Sequence, residues 1–174
     1  MTYTLKLELE NDTDDMIPFI NFVNRIVAVH GPDHSPLRKF HLTLHRMIDM
    51  DEADQGNLLF RAANSWTNFT LEKCVTTLTL CFNELPHEYD GLPESIFVAN
   101  FLVKLKIATT HHVTLFDSDV KVHLQSLKSL SVNMVDFGDD DQGIYNLMSG
   151  CPVIEELEMK DLAWFRWASC SVSS

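Results

Sequence analysis

The sequence has few basic residues and lacks any long apolar run. Lys and Arg number 13 against 25 Asp and Glu, so the formal net charge at pH 7 is −12. This excess of negative charge repels phosphate backbones, and nucleic acid is therefore not an expected partner. No run of about 18 uncharged apolar residues occurs, so no membrane association is expected. The start, Met1 to Glu10, lacks the basic residues and continuous apolar stretch of a secretory signal.

Cysteine motifs and nucleotide-binding loops are also missing. The four cysteines, Cys74, Cys81, Cys151 and Cys170, form no C-x-x-C pair, which predicts reduced thiols and a cytoplasmic or nuclear protein. The sequence has neither a G-x-G-x-x-G loop, nor a P-loop, nor a G-x-S-x-G motif. We therefore expect no cofactor and no catalytic activity.

A short apolar pattern recurs along the chain, which at 174 residues and 45% hydrophobic composition is long enough for one domain or a short repeat array. The frame apolar-x-x-apolar-x-apolar occurs five times, at 37–42, 75–80, 102–107, 127–132 and 154–159. Successive copies begin 38, 27, 25 and 27 residues apart. The last three intervals lie within the roughly 20–29 residues of a leucine-rich repeat, and the first carries an insertion.

Each frame has the period of two that is typical of a strand, and helical patterns lie between the frames. Helices are predicted within Leu58 to Phe69, Pro93 to Phe101 and Ile144 to Met148. The sequence thus predicts an α/β leucine-rich-repeat solenoid, with a curved parallel sheet of about five short strands backed by helices. The alternative is a doubly wound α/β sheet. Only Asn83 occupies the position where the repeat expects Asn or Cys, so no Asn ladder is expected.

Five segments carry a resemblance to the repeat region of plant F-box/leucine-rich-repeat proteins of the FBD group. They are 19–31, 36–42, 91–97 together with 102–105, 124–130 and 147–157, and the last, LMSGCPVIEEL, is the most specific. The resemblance implies a repeat domain over residues 19–174, truncated at its C-terminal end and without the FBD segment. Residues 1–18 resemble the acidic linker that follows an F-box.

In that family the F-box binds a Skp-type adaptor of an SCF ubiquitin ligase, and the repeats hold a protein substrate. The resemblance thus implies a non-catalytic protein-binding module, with adaptor binding only in a longer form that contains an F-box. The alternative is a stand-alone scaffold, or a non-functional fragment, without ligase contact.

Polar residues beside the apolar strand positions should line the concave side, which solenoids use for binding. The candidate protein-binding residues are Lys39, His41, Thr43, Thr77, Thr79, Lys104, Lys106, Ser129, Ser131, Asn133, Glu156, Glu158 and Lys160. Cys81 and Ala108 share these positions. The same pattern would arise if an exposed strand face were merely polar.

Other residues indicate no chemistry of their own. His41 and His45 lie on and just past a strand, and His111 and His112 in a loop, so no metal site is expected. Cys151 occupies a packing position. The aromatic cluster Trp164, Phe165 and Trp167 predicts self-association through an uncapped end. The stretch Ile17 to Val29 is a cap helix or, alternatively, a partner-binding helix.

Overall fold

A computed structural model of the chain describes residues 3–9, 16–30, 37–45, 53–83, 91–114, 119–137, 142–161 and 171–173. The strands are β1 Tyr3–Leu9, β2 Leu37–Leu44, β3 Thr77–Phe82, β4 Lys104–Thr114, β5 Ser129–Asp136, β6 Glu156–Lys160 and β7 Ser171–Ser173. The helices are α1 Met16–His30, α2 Ala53–Glu72, α3 Gln142–Gly150 and a short 3-10 helix, Glu94–Val98.

The strands form one sheet in sequence order, with β1 to β6 parallel and β7 antiparallel to β6. A doubly wound sheet would reverse its strand order, so that alternative is excluded. The five frames lie at β2 to β6, but the prediction of about five strands is wrong in number. It missed β1 because the chain shifts register between Tyr3 and Thr4, which shortens the apolar spacing there by one residue.

The same backbone hydrogen bonds join successive units. At three junctions between units, the carbonyl of the second residue of one frame accepts two hydrogen bonds of 2.8–3.1 Å. The donors are the N–H groups of the second and third residues of the next frame. These carbonyls belong to Thr76, Val103 and Lys128. The spacing of the frame therefore corresponds to a repeated contact between neighbouring units.

The core lies against one face of the sheet, because alternate strand residues point to opposite faces. The buried apolar strand residues are Leu7, Leu9, Phe40, Leu42, Leu44, Leu78, Leu80, Phe82, Leu105, Ile107, Leu130, Val132, Val135 and Met159. Helix and loop residues such as Trp66, Ile96, Leu124 and Leu147 cover them. Burying each leucine contributes roughly 1.5–3 kcal/mol, so the apolar frame supplies much of the driving force for folding.

Unit length decides what connects the strands. The 38-residue interval between Leu37 and Val75 holds the 20-residue helix α2, which extends beyond the predicted range at both ends. In the next, shorter unit a longer helix was predicted from Pro93 to Phe101, but only the 3-10 helix forms. Ala99 already has an extended backbone (φ −79°, ψ 91°), because the chain must return to β4 within a few residues.

Helix α1 packs beside α2, whereas the prediction that it is a cap packed beside the first strand stays a prediction. Its buried residues are Met16, Ile20 and Val23. Phe19 contacts Trp66 edge to face, with ring centroids 5.8 Å apart, and Trp66 Nε1 donates a hydrogen bond of 2.8 Å to Asn24 Oδ1. The apolar side of α1 is thus used within the core.

A bulge interrupts the pairing of β4 with β5. The register shifts between Ala108 and Val113, so four residues of β4 face a single residue of β5. That residue, Met134, has a φ of 59°, and its carbonyl accepts a hydrogen bond of 3.1 Å from Thr109 Oγ1. The prediction that His111 and His112 lie in a loop is wrong, because β4 continues through them.

The C-terminal strand β7 pairs with the edge of β6. The aromatic cluster at 164–167 lies outside the described residues, so the predicted self-association stays a prediction. The domain boundary drawn at residue 19 also stays a prediction, although β1 lies before it and pairs with β2. Among the residues that the structure describes, no helix is long and apolar enough to cross a membrane.

Replacing Cys74 with glycine should stabilise the fold. Cys74 lies just after the end of α2 and has a φ of 56°. Its N–H donates to the Leu71 carbonyl at 2.9 Å, and the Val75 N–H donates to the Thr70 carbonyl at 3.3 Å. This left-handed helix end favours glycine, since a Cβ costs about 1 kcal/mol there. We expect the free energy of unfolding in urea to rise by about 0.5–1 kcal/mol. Cys74→Ala keeps the Cβ and is the control; an equal gain in both variants would contradict the explanation.

Candidate functional site

The uncovered side of the sheet carries the side chains that alternate with the buried ones, and we call it the open face. Strand register aligns these residues in three rows that run across the strands. The first row is Thr4, Lys39, Thr77, Lys104, Ser129 and Glu156. The second row is Lys6, His41, Thr79, Lys106, Ser131 and Glu158. The third row is Glu8, Thr43, Cys81, Ala108, Asn133 and Lys160.

All thirteen candidate residues lie in these rows, so the structure brings them together as predicted; that they bind a partner stays a prediction. Sequence reasoning missed Thr4, Lys6 and Glu8, which β1 adds to the face. The alternation of polar and apolar residues along Tyr3–Leu9 could have found them. Of the candidates, Thr43 is only 7% exposed, and its hydroxyl forms a hydrogen bond of 2.9 Å with His41 Nε2. Little of this side chain is therefore accessible to a partner.

Ion pairs neutralise charge at both sides of the open face. Lys6 Nζ lies 2.9 Å from Glu8 Oε2 on β1, and Lys160 Nζ lies 2.7 Å from Glu158 Oε1 on β6. Ser131 Oγ also donates to Glu158, at 2.8 Å. The bonds from lysine and from Ser131 hold the pKa of Glu158 below its ordinary value. This carboxylate therefore stays charged at neutral pH.

The centre of the open face carries lysines without such partners. Lys39, Lys104 and Lys106 are exposed, and none of them forms an ion pair with another residue in the described part of the chain. Thr77 lies between Lys39 and Lys104 in the first row. The middle of the sheet is therefore positively charged although the chain as a whole is acidic.

A second polar group lies where β1, β2 and β3 end. Asn83 Nδ2 donates to His45 Nδ1 at 2.9 Å, and His45 Nε2 lies 3.3 Å from Glu8 Oε1. His45 and Asn83 both occupy the position where the repeat expects Asn or Cys. A link from Glu8 through His45 to Asn83 thus joins three strands at this position.

Two thiols, those of Cys81 and Cys151, have raised pKa values. Cys151 is buried, and burial raises its pKa to about 11, which confirms the packing position that the frame predicted. Burial also raises the pKa of Cys81, while the charge of Lys106 opposes that shift. A thiol with a raised pKa supplies little thiolate at neutral pH. Within the ranges that the structure describes, no group of three His, Cys, Asp or Glu side chains could hold a metal ion.

Stability should fall between about pH 7 and pH 5.5 because of His41. Its pKa is lowered from the ordinary 6.5, first by burial and then by the charge of Lys6, with a smaller effect from Lys106 and an opposing one from Glu8. The unfolded chain thus takes up this proton at higher pH than the folded protein does, and stability decreases as pH falls through 6.5 towards the folded pKa.

Urea unfolding of the wild type and of His41→Gln at several pH values measures this effect. The variant should lose less stability over that window than the wild type does. Glu8 and Glu158 have pKa values lowered from the ordinary 4.5, so the stability that they contribute starts to be lost about one unit above 4.5, at the lower end of the window. If the free energy of unfolding changed equally with pH in His41→Gln and in the wild type above about pH 5.5, the prediction would be contradicted.

Comparison with known proteins identifies the repeat. The family model described as "FBD-associated F-box protein At5g56370, LRR repeats" matches residues 63–174. The chain is 35% identical to the Arabidopsis thaliana F-box/LRR-repeat protein At4g14103, over 96% of this chain and 40% of that protein. It is 35% identical to the Arabidopsis F-box/LRR-repeat protein At3g59210, over 98% of this chain and 32% of that protein.

A third Arabidopsis relative, the putative F-box/FBD/LRR-repeat protein At3g59240, is 34% identical over 90% of this chain and 28% of its own length. The chain thus spans 28–40% of the length of these relatives. No solved structure matches it significantly. The sequential parallel sheet, the repeated contacts between units and the match over residues 63–174 lead to one conclusion: the chain belongs to the leucine-rich-repeat family of FBD-associated F-box proteins.

Proposed function

We propose that this chain is a non-catalytic protein-binding module that recognises a substrate for an SCF-type ubiquitin ligase. The observation that carries the proposal is the open face, where six parallel strands present three aligned rows of polar side chains. In this proposal the sheet curves as a solenoid and the open face is its concave, substrate-holding side. The proposed compartment is the cytoplasm or the nucleus, where free thiols persist.

Ligase contact would come from an F-box, which the names of the relatives include. A Skp-type adaptor binds this chain only as part of a form that contains an F-box. The second candidate function is a stand-alone scaffold that binds a protein without delivering it to a ligase. The two candidate functions differ in whether a bound protein is ubiquitinated.

The test joins the F-box of the relative At4g14103 to the start of this chain and expresses the fusion in plant cells. The fusion should co-purify with the Skp-type adaptor and cullin, and it should lower the steady-state level of at least one protein in a proteasome-dependent manner. The F-box alone and the fused chain with Lys39, Lys104 and Lys106 changed to glutamine are the controls.

Two outcomes separate the hypotheses. If the fusion assembles with the ligase and depletes a protein that the F-box alone does not deplete, the substrate-receptor function is supported; depletion by the triple glutamine variant as well would show only that these three lysines are not required. If the fusion assembles with the ligase but the same protein levels change with the F-box alone, the receptor proposal is wrong and the scaffold function takes its place.

A further inference from the structure

The three lysines of the open face are placed to act together. Lys104 and Lys106 are alternate residues of β4 and so project from the same face, with Cα atoms roughly 7 Å apart. Lys39 lies in the same row as Lys104, two strands away at β2, or roughly 10 Å. We call this group the lysine triad.

Between the members of the triad lie small side chains. Thr77 and Thr79 on β3 separate Lys39 from β4, and Ser129 and Ser131 lie on the far side of β4. These four residues are partly buried, so the longer lysine side chains stand above a floor of hydroxyl groups. Hydroxyls both donate and accept hydrogen bonds, so a polar backbone can lie across this floor.

The charge of the triad reaches across the sheet. The Lys106 ammonium has a minor effect on the pKa of three groups on other strands: it adds to the lowering at His41 of β2 and at Glu158 of β6, and it opposes the rise that burial causes at Cys81 of β3. Glu158 is already paired with Lys160, and Glu8 with Lys6. Glu156, the remaining carboxylate of the rows, lies two strands from Lys104, with Ser129 between them. No ion pair among the described residues joins a carboxylate of the open face to the triad.

We propose that the lysine triad docks an extended, acidic segment of a partner protein, whose Asp or Glu side chains pair with the lysines while its backbone lies over the hydroxyl floor. The proposal rests on the proposed function and specifies the partner's chemistry. Charge complementarity supports it, because the triad places three exposed positive charges together on one face of a chain whose net charge is −12. An extended segment repeats its side chains at roughly 7 Å on one face, which matches Lys104 and Lys106.

Fluorescence anisotropy with a synthetic probe tests this docking. The probe is a fluorescein-labelled peptide of about twelve residues in which Glu alternates with Ser, compared with the same peptide carrying Gln in place of Glu. We expect the full chain to bind the Glu peptide at least about tenfold more tightly than the Gln peptide. Raising NaCl from about 50 mM to about 300 mM should weaken the binding, since the pairs are exposed.

The triple variant Lys39→Gln, Lys104→Gln, Lys106→Gln should lose this binding by about tenfold or more. Its matched control is Arg25→Gln, Arg61→Gln, Lys121→Gln, which removes three exposed positive charges from α1, α2 and the 119–128 segment and should bind as the wild type does. Circular dichroism should show both variants folded. The salt dependence of the wild type is a second measurement that needs no variant.

Three results would overturn the proposal: equal binding of the Glu and Gln peptides, equal loss in the control variant, or binding only when phosphoserine replaces the acidic residues. The last result would assign the triad to a phosphorylated partner instead. The result of the peptide experiment does not depend on the result of the ligase experiment. A fusion that depletes a substrate through the open face, together with no peptide binding, would remove this inference and leave the proposed function intact.

Discussion

Replacing Trp66 with alanine should lower the free energy of unfolding by about 3–5 kcal/mol. The side chain is 1% exposed and lies where α1 meets α2, in edge-to-face contact with Phe19 and hydrogen-bonded to Asn24. Its removal leaves a cavity that rigid neighbours fill only in part. Because domains are stable by only about 5–15 kcal/mol, urea unfolding followed by circular dichroism should show a much lower midpoint.

Two milder variants keep this prediction testable if the alanine variant does not fold. Trp66→Phe retains most of the apolar volume and should cost less than Trp66→Ala. Asn24→Ala leaves the indole N–H of a buried residue without its acceptor and should cost about 1–3 kcal/mol. A loss below about 1 kcal/mol in Trp66→Ala would show that the contact between α1 and α2 contributes little to folding.

Replacing Gly150 with alanine should destabilise the protein by about 2 kcal/mol or more, although alanine is the better helix former. A Cβ at this position would lie 2.5 Å from the Val122 carbonyl oxygen and 2.6 Å from Val122 Cγ1. Helix propensity would contribute at most about 1 kcal/mol in favour of alanine. The clash with backbone is the larger effect, because relieving it displaces the 119–124 segment and the 2.8 Å bond from the Leu124 N–H to the Gly150 carbonyl.

The neighbouring substitution Ser149→Ala is the matched control for Gly150→Ala. Ser149 is exposed and its hydroxyl donates back to the Tyr145 carbonyl at 2.7 Å, so its loss should change the unfolding free energy by less than about 0.5 kcal/mol. Adding Val122→Ala to Gly150→Ala removes Cγ1 but not the carbonyl, and should restore only part of the stability. A Gly150→Ala protein as stable as the wild type would contradict the close approach.

The LMSGCPVIEEL segment carried the resemblance, and each part of it has a structural reason. Gly150 allows α3 to approach the 119–124 segment, Cys151 is buried, and Glu155 pairs with Lys128 of the preceding unit at 2.7 Å. The last residues enter β6 through the backbone bonds to the Lys128 carbonyl. Of these contacts, the backbone bonds are the ones that also join the two preceding pairs of units.

Prediction failed where contacts between units changed the local pattern. The spacing near Tyr3 breaks the frame, yet β1 forms because β2 offers it a parallel partner. The segment after Pro93 has the residues of a helix, but the short connection to β4 permits only a 3-10 helix. The bulge at Met134 depends on how β4 and β5 pair, and nothing in either strand's own spacing indicates it.

The sequence by itself determined which side chains face the core and which face outward at β2 to β6, because the period of two is a property of each strand's own backbone. It also determined the family, through the motif at the end of α3. Only the tertiary structure decided what surrounds each charge: Lys6 and Lys160 pair with a carboxylate two residues away on their own strand, whereas no ion pair in the described part of the chain involves the lysine triad. The surroundings of the triad depend on which strands lie side by side and in what register, and the period of two within one strand carries no information about either.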